Sequence, residues 1–177
     1  MLFRSFPNVP QNVSNPENRA VFDRIIERGT EISADLIMAT DPDCDRLGAA
    51  APLTATDSST WETFSGNQIG VLLADYVLSQ RQEGKTLSPN DYVITTLVTT
   101  RMIREVCSHY GVRCEDNNLV GFKWIGALMD ELGPDRFLFG TEESHGYLVG
   151  QYARDKDGAV ACLLMAMGHV SFALFPW

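Results

Sequence analysis

The sequence is short of the residues that would mark several familiar classes of protein. It has three histidines and four cysteines, at 44, 107, 114 and 162, with no Cys-x-x-Cys and no His/Cys spacing of the zinc kind. Neither a disulfide framework nor a structural zinc site is expected, and reduced thiols in a cytoplasmic protein are the simplest reading. Positive charge is also scarce. Fourteen Lys and Arg face 23 Asp and Glu, for a net charge of −9. A general nucleic-acid surface or an anionic-membrane surface is therefore not expected, and any anionic substrate must be met by a few local cations. No apolar run is long enough to span a bilayer, since the richest tract, around 159–167, is too short. Nor does the N-terminus carry the hydrophobic segment of a secretory leader. Internal repeats and low-complexity tracts are lacking too.

Against those absences one stretch is dense with chemistry. Asp41-Pro42-Asp43-Cys44-Asp45-Arg46 follows the apolar run 34–39 and puts carboxylates at i, i+2 and i+4. Three hard oxygen ligands so close repel one another unless a divalent cation sits among them. Mg²⁺ suits a few carboxylates plus substrate phosphate. Arg46, directly after them, is a fixed cation suited to a phosphate near that metal. An EF-hand loop starting at Asp41 would need Gly at its sixth position and Glu at its twelfth, where Arg46 and Pro52 stand, so that reading is excluded. An aspartyl-nucleophile phosphatase of the haloacid-dehalogenase kind also uses Asp-x-Asp after a strand, but commonly with a small hydroxyl residue after it. A solvated acidic turn is the bland alternative.

The hydrophobic pattern predicts an α/β chain. After an extended lead-in over 1–15, Asn15-Pro16-Glu17 reads as a helix start, with a stripe of Ala20, Val21, Ile25 and Ile26 running to Gly29. Strands are expected at 35–40 and 47–52, then a polar turn and a hairpin arm at 61–64. Ser65-Gly66-Asn67 opens a helix with Ile69, Leu72, Leu73, Tyr76 and Val77 on one face. Strands at 92–98, 112–115 and 136–140 then alternate with helices at 100–110, 122–132 and 158–167, the rhythm of a doubly wound sheet. One helix and two strands cannot cover both faces of a sheet, so 1–52 reads as the end of an incomplete domain. Residues 53–170 read as a second domain, and 171–177 as an irregular aromatic tail.

Two further clusters fall in loops of this unit. Gly121-Phe122-Lys123-Trp124-Ile125-Gly126 places Lys123 at a helix start, where cations gain nothing from the macrodipole. It is either a proton carrier toward a sugar hydroxyl or a surface lysine lying on Trp124. Gly140-Thr141-Glu142-Glu143-Ser144-His145-Gly146-Tyr147 follows a strand and could hydrogen-bond vicinal sugar hydroxyls. Adjacent side chains on an extended chain point opposite ways, so one Glu should face a ligand and the other the structure. A Ser–His nucleophile is discounted because the Gly-x-Ser-x-Gly elbow is absent. Arg154-Asp155-Lys156-Asp157-Gly158 sets two cations before the last helix, within phosphate-binding reach of its N-terminus or as a plain solvated charge run.

Taken in order, these motifs, with Gly66-Asn67-Gln68-Ile69-Gly70 and Thr95-Thr96-Leu97-Val98-Thr99-Thr100, resemble the α-D-phosphohexomutases, the phosphoglucomutase/phosphomannomutase superfamily. The resemblance runs from about residue 6 to 167. It implies a four-domain enzyme that moves a phosphoryl group between the 1- and 6-positions of a sugar phosphate through a phosphoserine and a bisphosphosugar. This chain would supply the end of domain 2 and all of domain 3, a mixed sheet flanked by helices, with domains 1 and 4 supplied by the parent enzyme. Carried over by motif, Asp41, Asp43 and Asp45 would hold Mg²⁺ and Arg46 would steady the phosphate. Glu142 and Ser144 would bind sugar hydroxyls, Arg154 and Lys156 would also contact substrate, and Lys123 would serve proton transfer. No Ser-His-Asn-Pro loop and no C-terminal phosphate loop is found, so the chain alone is expected to be inactive. Cys44 stands where a small Ala or Gly is more common, and Ser144-His145-Gly146-Tyr147 follows the phosphoglucomutase and phosphopentomutase branch. A Mg²⁺-dependent phosphatase using Asp41, and a non-catalytic sugar- and metal-binding module, are the competing functions.

Overall fold

The structure is a computed structural model that describes residues 6–54 and 57–174. Two sheets form. In the first, β1 (Ile37–Thr40), β2 (Leu47–Thr54) and β3 (Asp57–Thr63) pair antiparallel in the order β1-β2-β3. In the second, the order is β5-β4-β6-β7, built from β4 (Tyr92–Thr96), β5 (Arg113–Asn118), β6 (Phe137–Glu142) and β7 (Gly146–Val149). β5, β4 and β6 run parallel, and β7 returns antiparallel to β6. The α/β class with a mixed, helix-flanked sheet is thus as expected. The expected hairpin also forms, with β3 longer than predicted, so the first sheet continues past residue 52 to Thr63.

Alternation along the strands explains the layers. Val93 of β4 points into the core made with α2 (Gly66–Glu83), α3 (Met102–His109) and α5 (Gly158–Leu174), among Ile69, Leu73, Ile103 and Ala161. Its neighbours Tyr92 and Ile94 point the other way, onto Phe122, Ile125 and Met129 of α4 (Phe122–Leu132). Each such fully buried Ile or Phe contributes ~1.5–3 kcal/mol of transfer free energy. The Tyr92 phenol ends on the Gly133 carbonyl at 2.8 Å, so no polar atom is stranded there.

β2 solves the problem that so small a first sheet poses. Leu47 and Ala49 face α2 and α5 in the main core, while Ala50 faces Phe22, Ile37 and Trp61 beside α1 (Asp23–Glu31). Both faces of that strand are covered, one of them by helices of the second sheet.

Three local expectations shift. The first helix does not begin at Asn15-Pro16-Glu17. Asn15 caps a turn by accepting from Glu17 N at 3.0 Å, Asn18 caps a 3-10 turn (Arg19–Val21), and α1 starts at Asp23. Strand β7 was not foreseen. The last helix runs on to Leu174 rather than ending near 167, because the sequence stays apolar and the next proline is Pro176. The end of the tail lies outside the described residues. Among those residues no helix is long and apolar enough to cross a membrane.

Candidate metal and substrate site

The site lies where the loop after β1 meets the C-terminal ends of β4 and β6, the usual position for ligands in an α/β sheet. β1 ends at Thr40, and the chain turns at once, with Cys44 N bonding the Asp41 carbonyl at 3.0 Å. The turn requires a left-handed residue, and Cys44 supplies it at φ +58°. That folds the three carboxylates together, with one ligand atom from each of Asp41, Asp43 and Asp45 within 4.8 Å of the others.

The three differ in surroundings. Asp41 is buried (4%) and almost fully committed. Its Oδ1 accepts from Asp45 N and Arg46 N, both at 3.1 Å, and its Oδ2 from Arg46 Nε at 2.7 Å. Burial pushes this carboxyl up, but the bonds from Arg46 and the backbone outweigh it and hold it below the usual carboxylate range. Asp45 goes the other way. Burial and the adjacent Asp41 raise it, although the Lys156 ammonium lies 2.9 Å from its Oδ2. Asp43 stands exposed.

Two cations border this cluster. Arg46 reaches Asp41, Glu17 (Nη1 to Oε1, 2.9 Å) and Asn15 (Nη1 to Oδ1, 3.4 Å). Lys156 bridges Asp45 and Asp155 (3.2 Å) with its ammonium 6.0 Å from the centre of the Phe122 ring. The donor set is all oxygen and hard, and three monodentate carboxylates leave positions for water and substrate oxygens. That fits Mg²⁺ better than a soft or square-planar metal.

The loop between β6 and β7 is fastened to the metal loop. Arg46 and Gly146 form an antiparallel bridge, Leu47 N bonds His145 O at 3.1 Å, and His145 Nδ1 meets the Leu47 carbonyl at 2.9 Å. Gly158 N, opening α5, bonds the Cys44 carbonyl at 2.9 Å. A Cβ on Gly158 would stand 2.8 Å from Arg46 O and 2.9 Å from Cys44 O, so only glycine lets the helix end sit this close.

The two adjacent glutamates divide their work. Glu143 Oε2 accepts from Thr96 Oγ1 (3.1 Å) and Thr99 Oγ1 (3.5 Å), which absorbs the threonine-rich motif into support of this loop. Glu142, 5% exposed, is raised by burial, partly offset by Lys156 and by a hydrogen bond with Ser144. Its Oε1 and the Lys156 stem both crowd Gly146. The structure therefore brings Asp41, Asp43, Asp45, Arg46, Glu142, Ser144 and Lys156 together.

Lys123 and Arg154 sit differently. Lys123 is exposed on the first turn of α4, 5.3 Å from the centre of the Trp124 ring. Arg154 is engaged with Asp130 (2.5 Å) and with the carbonyls of Gln151 and Ala153. The N-terminus of α5 is closed by Asp157, whose Oδ1 accepts from Val160 N at 3.0 Å. Sequence reasoning assigned no site role to Asn15 and Glu17 on Arg46, to Thr96 and Thr99 under Glu143, or to His145 at the junction, although all five lie in motifs already singled out. What it lacked for each was the partner across the fold.

Residues 65–169 match the family described as "Phosphoglucomutase/phosphomannomutase, alpha/beta/alpha domain III", and residues 3–53 match its domain II. The chain belongs to the phosphoglucomutase/phosphomannomutase family. It is 37% identical over 153 residues to a phosphoglucomutase of Staphylococcus epidermidis, covering 86% of this chain and 27% of that protein. A phosphopentomutase of Mus musculus is 31% identical over 167 residues, covering 91% and 26%. A phosphoglucomutase/phosphomannomutase family protein from Burkholderia thailandensis has the same fold, with TM-score 0.66 at 20% identity over 89% of this chain and 31% of that one. The chain thus spans about a quarter of the length of the curated relatives it matches.

Proposed function

We propose that this chain carries the metal-binding and sugar-contacting loops of a phosphohexomutase, an enzyme that interconverts sugar 1-phosphates and 6-phosphates. The observation that carries the reading is the direct backbone fastening of the Asp41-Asp43-Asp45 loop to the Glu142-Ser144 loop. A carboxylate cluster alone is common. One bolted to a second loop offering a carboxylate and a hydroxyl is suited to a ligand with phosphate at one end and hydroxyls at the other. When bound, Mg²⁺ held by Asp41, Asp43 and Asp45 would offset charge on phosphate oxygens, the main demand of phosphoryl transfer.

The protein's own groups do the rest. Arg46 donates to a phosphate oxygen. Glu142 accepts from a sugar hydroxyl and Ser144 donates to or accepts from its neighbour. Lys156 bridges the two sets, and Lys123, exposed on the α4 turn, moves a proton at a sugar oxygen. Arg154, already engaged, shapes the loop that presents Lys156. The phosphatase reading fits less well, because both oxygens of Asp41 already accept hydrogen bonds and burial makes it a poor nucleophile to free. The phosphoserine and the bisphosphosugar intermediate belong to the mutase reading as a whole, with domains 1 and 4 as partners.

The test is a mutase assay on glucose 1-phosphate with Mg²⁺ and a trace of glucose 1,6-bisphosphate. It compares this chain with a longer one in which it replaces the matching segment of the Staphylococcus epidermidis enzyme. The longer chain should turn over and this chain should not. Asp43→Asn in the longer chain should cut kcat by about 100- to 1,000-fold, the size of loss seen when one preorganised electrostatic contact to a transition state is removed. Full activity in Asp43→Asn, or phosphate release by this chain alone, overturns the reading.

A further inference from the structure

The Asn15-Pro16-Glu17 motif opens no helix, and the proposed chemistry gives it nothing to do. We infer that Asn15 and Glu17 are positioning residues for Arg46, an inference that deepens the reading of Arg46 as the phosphate-facing cation of this site.

A guanidinium held by one contact still rotates. Arg46 is held at Nε by Asp41 at 2.7 Å, and this alone leaves the far end of the fork free. Glu17 Oε1 takes Nη1 at 2.9 Å, and Asn15 Oδ1 adds a longer contact to the same Nη1 at 3.4 Å. Two edges of the plane are thereby fixed, and Nη2 has no hydrogen-bond partner among the described residues. A fixed fork with one free edge is the form in which arginine recognises a phosphate oxygen.

The motif is itself pinned to the strand that Arg46 leads into. Asn15 Oδ1 also accepts from Glu17 N at 3.0 Å, which closes the turn and aims the glutamate. Pro16 lies on β2 at Gly48, where an added Cβ would come within 2.7 Å of the Pro16 carbonyl oxygen and 2.9 Å of Phe22 Cζ. All three motif residues thus serve one contact, and Pro16 is seated two residues along the chain from the arginine. Stability does not account for them. With the Glu17 side chain 39% exposed, this ion pair is worth little to folding, on the order of 0.5 kcal/mol.

The test uses nitrogen-edited NMR of the Arg46 guanidinium in this 177-residue chain at low temperature. In the parent, Nη1 and Nη2 should give separate signals because rotation about Cζ–Nε is hindered. In the Asn15→Ala, Glu17→Gln double variant they should merge, while the Nε–H on Asp41 stays sharp. Inorganic phosphate titrated in the presence of Mg²⁺ should bind about five- to tenfold more weakly to Glu17→Gln, the loss expected from one misaligned charge-assisted hydrogen bond. Glu17→Asp should recover part of that loss, with the melting temperature within about 2 °C of the parent throughout. Merged signals in the parent, or separate ones in the double variant, overturn the inference. Arg46→Gln separates it from the reading it rests on. If phosphate binding falls in Arg46→Gln but not in Glu17→Gln, the positioning role fails alone. If it falls in neither, the phosphate role of Arg46 fails with it.

Discussion

Cys44 carries the strain of the metal loop. Its φ of +58° lies in the region that disfavours side chains with a Cβ, by roughly 1–2 kcal/mol for an ordinary residue. The turn cannot avoid it, because Cys44 N must bond back to the Asp41 carbonyl while the Cys44 carbonyl accepts from Gly158 N. A thiol is small enough to be tolerated there, whereas a β-branched side chain is a genuine outlier in that region. Cys44→Val should therefore weaken Mg²⁺ binding by roughly 5- to 30-fold, the equivalent of that strain, while Cys44→Gly should hold or tighten it. Isothermal titration of the two variants with Mg²⁺ checks this. Equal affinities would mean that the loop does not need the left-handed residue.

At the scale of elements, the site depends on how closely two chain segments can approach. Gly66 opens α2, and a Cβ there would sit 2.0 Å from the Glu143 carbonyl oxygen, which is backbone and cannot swing away. The buried Tyr147 hydroxyl donates to the Gly66 carbonyl at 3.1 Å and closes the same junction. Gly66→Ala should destabilise the chain by about 1–3 kcal/mol, the range for overpacking a closed contact, and should displace the Glu142-Ser144 loop. Urea unfolding gives the first quantity, and amide chemical shifts of residues 142–147 give the second. Much of this layer is legible in sequence because its signals are local. The Ser65-Gly66-Asn67 helix start is one, the strand run from Tyr92 another, and the contiguous Asp-x-Asp-x-Asp a third. Most of what was not legible depends on partners remote in the chain. β7 is the exception: it pairs with β6 just before it, but four residues are too short a run to show a strand period. The helix expected at Asn15 gives way because Glu17 is drawn to Arg46, 29 residues on. Lys156 reads as a helix-terminus cation until the fold sets it on Asp45.

For the molecule as a whole, the two sheets are joined through Leu47 and His145, and that junction titrates. His145 is 6% exposed, and its Nδ1 lies 2.9 Å from the Leu47 carbonyl, which fits an N–H donated by a neutral ring. Burial lowers its proton affinity more than the Leu47 carbonyl and Glu17 restore it, so its pKa in the folded chain lies below the ordinary value near 6.5. The unfolded chain then binds the proton more readily than the folded one. The contribution is fully present above about pH 6.5 and is lost as pH falls toward the folded-state value, with a slope approaching 1.4 kcal/mol per pH unit for one proton. Asn at this position tolerates the same left-handed backbone, φ +65° at His145, without titrating. Subtracting the stability of His145→Asn from that of the parent between pH 7.5 and 5 should leave a difference that falls with acid. Asp41, held low, contributes its own acid loss equally to both proteins and cancels. A flat difference would show that the ring is already free to charge in the folded state, and that the backbone bonds at this junction hold the sheets together without it.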